Sequence, residues 1–132
     1  MKDGIQVNIV ALNKQQKFFK AFVHAWKGIE HFFQHDRNGR IHLGAALASI
    51  FAGFIFKISA IEWAIILVCI ALVVAFEMLN AAIEKLCDVV HKEFHPAIKV
   101  IKDVSAGAVL WVSIISAIIG AIIFIPKIIE LL

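Results

Sequence analysis

From Lys14 to Phe33, the residues Phe18, Phe19, Phe22, Val23, Trp26, Ile29 and Phe33 recur at the three-and-four spacing of an α-helix, while Lys17, Lys20, His24, Lys27 and His31 fall on the other side. This pattern predicts an amphipathic helix over about 14–34 lying in a membrane interface, aromatics in the acyl boundary and lysines toward the head groups. The alternative is a soluble helix packed on a core, but the rest of the chain offers little soluble core to receive it. Asp36-Arg37-Asn38-Gly39-Arg40 then breaks the pattern with charge and turn residues. Three apolar stretches follow, over about 41–57, 63–90 and 104–125, each read as a membrane-spanning helix, with Pro126 expected to stop the last. The first is near the short end of the roughly 17–25 residues a crossing needs. Its Gly44, Ala48, Ala52 and Gly53 are small residues that allow close helix contact.

Composition strengthens this reading. In a chain of 132 residues, 61% hydrophobic and 17% charged lies outside the range of soluble globular domains, so lipid must be the solvent for much of it. The expected fold class is an all-α membrane protein, an N-terminal interfacial amphipathic helix followed by three transmembrane helices. With no internal repeat and no low-complexity tract, residues 1–132 are expected to form a single domain. The net charge of +3 is modest, and its placement suits a membrane surface better than a nucleic-acid groove, so no nucleic-acid partner is expected. Lys14, Lys17, Lys20, Lys27, Arg37 and Arg40 precede the first span, and Lys85, Lys92, Lys99 and Lys102 lie between the second and third. Against them stand Lys57 and Lys127, which predicts a multi-pass chain with its N-terminus facing the cytoplasm. The first long apolar run starts only around Ile41, beyond a charged stretch, so no cleavable signal peptide is expected. Cys69 and Cys87 fall on one predicted helix, separated by about 27 Å, too far for a disulfide between them.

The most informative pattern lies in the second span, where the apolar run from Trp63 to Phe76 gives way to Glu77, Asn80, Glu84 and Asp88. At about 100° per residue these fall at roughly 0°, 300°, 340° and 20°, within one narrow stripe. Carboxylates near the bilayer are costly unless paired or functional. An ion-paired helix seam, with Lys85, Lys92 or Lys102 neutralising the acids, is the structural alternative. Functionally, two carboxylates beside phosphates can hold Mg²⁺, a third can take a proton from an alcohol, and nearby lysines can neutralise a transferring phosphoryl group. There is no Walker A sequence, no protein-kinase Gly-rich loop and no H-R-D or D-F-G set, so a nucleotide enzyme built from this chain needs another architecture.

The stretch Glu77-Met78-Leu79-Asn80-Ala81-Ala82-Ile83-Glu84-Lys85-Leu86-Cys87-Asp88 closely resembles the E-x-L-N-x-A-I-E-x-x-x-D signature of the prokaryotic diacylglycerol kinase and undecaprenol kinase family. The likeness continues through Glu93-Phe94-His95 and Lys102-Asp103, and upstream through Trp26-Lys27-Gly28 and the Asp36 turn, covering nearly all of the chain after about Lys14. The resemblance implies a homotrimeric lipid kinase of the bacterial cytoplasmic (inner) membrane, its active sites between subunits on the cytoplasmic side. Such an enzyme moves the ATP γ-phosphate to a lipid alcohol, undecaprenol or diacylglycerol, with Mg²⁺. By the same resemblance Glu77 is the general base, with Trp26 and Asn80 also on the lipid substrate. Glu84 and Asp36 are implied as metal ligands, and Lys17, His24, Asp36, Glu84, Glu93, Phe94, His95, Lys102 and Asp103 as the nucleotide site. Asp36 stands where the family generally has Glu, one methylene longer. The stretches Arg40 to Leu43 and Lys57 to Trp63 look more like the undecaprenol kinase branch.

The rival reading is a non-enzymatic oligomer in which Glu77, Asn80 and Glu84 relay protons or ions. It gives no role to the Lys102-Asp103 pair or to the long interfacial helix. The remaining histidines, His31, His35, His42 and His91, lack any zinc-binding spacing and read as interfacial residues. Ser113, Ser116, Ala117 and Gly120 read as a helix-packing face.

Overall fold

The computed structural model describes residues 2–131, with side chains from residue 16 onward. Every regular element among these residues is helical: α1 (Lys2–His35), α2 (Arg37–Ile55), α3 (Ala60–Val90) and α4 (Pro96–Ile129). The chain divides into two compact units, one up to His35 and one from Asp36 onward.

The first unit is α1. It begins well before the expected residue 14, because the preceding stretch contains no proline and nothing else to stop helix propagation. On its described part, Phe18, Phe19, Phe22 and Trp26 are between 62% and 79% exposed, so the aromatic side is free to meet lipid. Near its end His31 and His35 stack with ring centroids 4.2 Å apart, and Gln34 donates to Glu30 at 3.2 Å.

The second unit is an up-down-up arrangement in which α3 packs on both α2 and α4. Its helices start earlier than their apolar runs because polar residues cap them. Asp36 is the N-cap of α2, its Oδ1 accepting the Gly39 N–H at 2.8 Å, so the expected turn at Asp36 to Arg40 is a cap and a first helical turn. Ser59 and Glu62 form a capping box at the start of α3: the Ser59 N–H donates to Glu62 Oε2 at 2.6 Å and the Glu62 N–H to Ser59 Oγ at 3.3 Å. His95 caps α4 through Nδ1, which accepts the Ala97 N–H at 3.2 Å, with Pro96 preset for the first turn. Pro126 does not stop α4, which continues to Ile129. So near the C-terminus the missing N–H forfeits one hydrogen bond only, and the Glu130 N–H still closes on the Pro126 carbonyl at 3.0 Å.

Between α2 and α3 the chain reverses through Lys57, whose φ of 49° lies in the left-handed region, while the Ile58 N–H reaches back to the Gly53 carbonyl at 3.2 Å. This turn seats the Trp63 ring directly against Gly53: a Cβ there would lie 2.7 Å from the ring. Of the small residues expected to bring helices together, Gly53 does so, whereas Gly44 faces open space. Next to it Ile58, Ile66 and Ile123 form a buried cluster packed by Phe56, Trp63, Ile70, Ile119 and Phe124. At the same end Lys127 and Glu62 pair at 3.2 Å, joining α4 to α3.

α3 and α4 are long and apolar enough to cross a membrane. At roughly 1.5 Å per residue their 31 and 34 residues reach about 46 and 51 Å, beyond the ~30 Å hydrocarbon core. Both helices are therefore longer than a crossing requires, and their polar ends meet around the His91 to His95 connection. The 19-residue α2 opens with Arg37 and Arg40 and does not reach that mark.

Candidate active site

The acidic stripe of α3 is graded in exposure. Glu77 is 2% exposed and Asn80 5%, Glu84 is half-buried, and Asp88 is exposed. Helical periodicity puts all four on one face, and burial falls away toward the helix end, so the stripe runs from the packed helices out to the polar surface. Asn80 Nδ2 donates to Glu84 Oε1 at 3.4 Å, a long contact that orients the amide. Its Oδ1 is then buried with no hydrogen-bond partner among the described residues. A buried acceptor left open costs stability until an O–H or N–H donor meets it. No cation or donor among the described residues reaches the Glu77 carboxylate.

Asp88 binds Lys102 Nζ on α4 at 2.5 Å, and Lys99 pairs with Asp103 one turn apart on α4. The ion-paired seam considered from sequence therefore exists only at the exposed end of the stripe and does not extend to Glu77. With side chains 34% and 67% exposed, the Lys102–Asp88 pair is screened by solvent and contributes little to stability.

Two ion pairs, Asp88–Lys102 and Glu62–Lys127, set the antiparallel register of α3 against α4. Eleven residues back from Asp88 is Glu77, and eleven residues on from Lys102 is Ser113, so these two are roughly level. Ser113 Oγ is buried and lacks a partner among the described residues. Sequence patterning reads Ser113 as packing, and only the pairing of the two helices reveals its level. By the same reasoning the Gly53–Trp63 contact registers α2 on α3: seventeen residues away along each helix stand Asp36 and Asn80. Asp36 is thus roughly level with the stripe, with its Oδ1 engaged as the α2 cap.

The remaining sequence candidates fall into two sets. Glu93, Phe94 and His95 are exposed on the α3–α4 connection, where His95 serves as a helix cap and its ring meets His91 edge-on at 5.4 Å. Lys17, His24 and Trp26 are exposed on α1, in the other compact unit. Among the described residues no three His, Cys, Asp or Glu side chains gather as a metal cluster. The donors near the stripe are hard carboxylate oxygens, Glu84 and Asp36, the type and number that Mg²⁺ uses when phosphates and water complete its shell.

A deep carboxylate, an amide with an open acceptor and a row of lysines at the polar end are the parts a phosphoryl transfer to an alcohol requires. The family model of prokaryotic diacylglycerol kinase matches residues 23–124, which includes the whole stripe. The chain belongs to the prokaryotic diacylglycerol kinase family. Among its relatives, an undecaprenol kinase of Bacillus subtilis is 44% identical over 115 residues, covering 87% of this chain and 94% of that protein. A diacylglycerol kinase of Synechocystis sp. is 34% identical over 113 residues, covering 85% of this chain and 65% of the longer relative. As a prokaryotic diacylglycerol kinase family member the chain is a membrane lipid kinase, a phosphotransferase that takes its phosphate from ATP.

Proposed function

We propose that the chain phosphorylates a lipid alcohol with Glu77 as general base, and the observation that carries this is the burial of Glu77 beside Asn80, with Glu84 further along the same face. The lipid hydroxyl gives its proton to the Glu77 carboxylate as its oxygen attacks the γ-phosphorus. The new O–P bond forms as the bond from that phosphorus to the β-γ bridging oxygen breaks, ADP leaves, and the proton passes from Glu77 to water. Asn80 stands beside the alcohol on the same helix face, and its Nδ2 steadies Glu84. Glu84 and Asp36 would hold Mg²⁺, which when bound neutralises charge on the phosphates. Lys102 contacts phosphate, exchanging its exposed pair with Asp88 for the more highly charged nucleotide. Glu93, Phe94, His95 and Asp103, all in the second compact unit, complete the nucleotide contacts.

In this reading α2, α3 and α4 all span the bacterial inner membrane, α1 lies in the interface, and the stripe faces the cytoplasm where ATP is available. Residues 1–132 act as one lipid kinase domain. The large exposed apolar side chains on the outer faces of α3 and α4 are covered by lipid and by two further copies in a homotrimer. The substrate is undecaprenol in preference to diacylglycerol, supported by the higher identity to the relative of that name. The test is transfer from labelled ATP by purified protein in mixed micelles holding either lipid, with and without Mg²⁺. A Mg²⁺-dependent undecaprenyl phosphate is expected. ATP consumption independent of any lipid alcohol would refute the proposal.

A further inference from the structure

A cavity of about 410 Å³ opens between α2, α3 and α4. Its α3 wall includes Val73 and Val74, one helical turn from Glu77 on the same side of the helix, so the cavity begins where the buried carboxylate ends. The Glu77 end is polar. Ser113 lines it, level with Glu77, its Oγ buried and unpartnered. The far end is mostly apolar, lined by Ile66 and Phe124 beside the isoleucine cluster. Along the cavity, then, an open hydroxyl level with the Glu77 carboxylate gives way to hydrocarbon, which is the polarity of a lipid alcohol laid head to tail. Its volume is near the low end of the roughly 300–1,000 Å³ of single-ligand pockets, which suits one slender hydrocarbon chain.

We infer that this cavity binds the tail of a single-chain lipid alcohol, and that Ser113 is a positioning residue that hydrogen-bonds its hydroxyl beside Glu77. The inference rests on the lipid kinase reading with Glu77 as base and names the tail it selects. The competing occupant, apolar side chains of a second copy, would leave the Ser113 hydroxyl unsatisfied, whereas an alcohol satisfies it.

The test uses the full chain in mixed micelles. A Cβ at Gly120, on the cavity wall, meets nothing within 4 Å, so Gly120→Leu starts from open space and adds bulk to the cavity. Gly120 lies seven residues beyond Ser113, about 10 Å along the helix, out of reach of a five-carbon prenyl alcohol. Gly120→Leu should lower kcat/KM for a long polyprenol about tenfold, through KM, while leaving the five-carbon alcohol unchanged. Gly44→Leu, equally open but off the cavity, should change neither. Ser113→Ala should raise KM about fivefold for both alcohols, with Ser113→Thr restoring it. Equal effects of Gly120→Leu on long and short alcohols, or none on either, would overturn the inference. A photoreactive polyprenol, applied without ATP, reads the cavity independently of catalysis. Labelling of the 113–124 segment supports the inference even if no phosphate is transferred, in which case only the kinase reading fails. Active protein with no label there, or with cross-links between two copies of the chain through it, overturns the cavity assignment alone.

Discussion

Glu77→Gln is the sharpest test of the chemistry because it changes charge and almost nothing else. The side chain is 2% exposed and bonded to no donor among the described residues, so the amide keeps its volume and breaks no existing hydrogen bond. Nearly isosteric replacement leaves the packing intact, and the variant is expected to insert and to resist unfolding about as well as the parent. Catalysis is another matter. A positioned general base contributes about 10²–10⁴ in rate, and at about 1.36 kcal/mol per decade its loss raises the barrier by ~2.7–5.4 kcal/mol. The drop should appear in kcat, with KM for ATP and for the lipid nearly unchanged, since the amide still occupies the same space. Single-turnover transfer from labelled ATP in micelles measures the chemical step directly. A variant within threefold of the parent kcat would remove Glu77 from the mechanism. Asp88→Asn is the contrast: its pair with Lys102 is exposed and screened by solvent, so stability should barely move in the same preparations.

Three further outcomes follow from the geometry. Glu84→Ala should raise the Mg²⁺ concentration for half-maximal activity at least tenfold or abolish activity; an unchanged Mg²⁺ titration would exclude it as a ligand. Gly53→Ala gains about 1 kcal/mol of helix propensity but drives a methyl against the Trp63 ring at 2.7 Å, an overpacking cost of about 1–3 kcal/mol. The expected net effect is a loss of up to ~2 kcal/mol by denaturant titration in detergent, relieved when Trp63→Leu is added; a stabilised single variant would contradict this packing. Lys57→Gly removes a non-glycine residue from the left-handed region and should stabilise the α2–α3 turn by up to ~1 kcal/mol, measured the same way, whereas destabilisation would show that the lysine side chain matters more than its backbone.

Periodicity and composition were enough to determine that the chain is helical and lives in a membrane, because lipid imposes long apolar runs and the 3.6-residue repeat places Glu77, Asn80, Glu84 and Asp88 on one face whatever else packs nearby. The ordered signature in that stripe was enough to point to the family. Helix ends were less legible: the apolar runs mark where a helix meets lipid, while Asp36, Ser59 and His95 extend α2, α3 and α4 through polar caps that hydropathy does not register. Pro126 misleads for a related reason, since its cost depends on how much helix remains to be broken. Only the tertiary structure decided which member of the stripe is deep, which is exposed and ion-paired, and that Ser113 stands level with Glu77. Those facts come from the register of α3 against α4, fixed by residues at the two ends of the pair, and a pattern read along one helix carries no information about its neighbour's register.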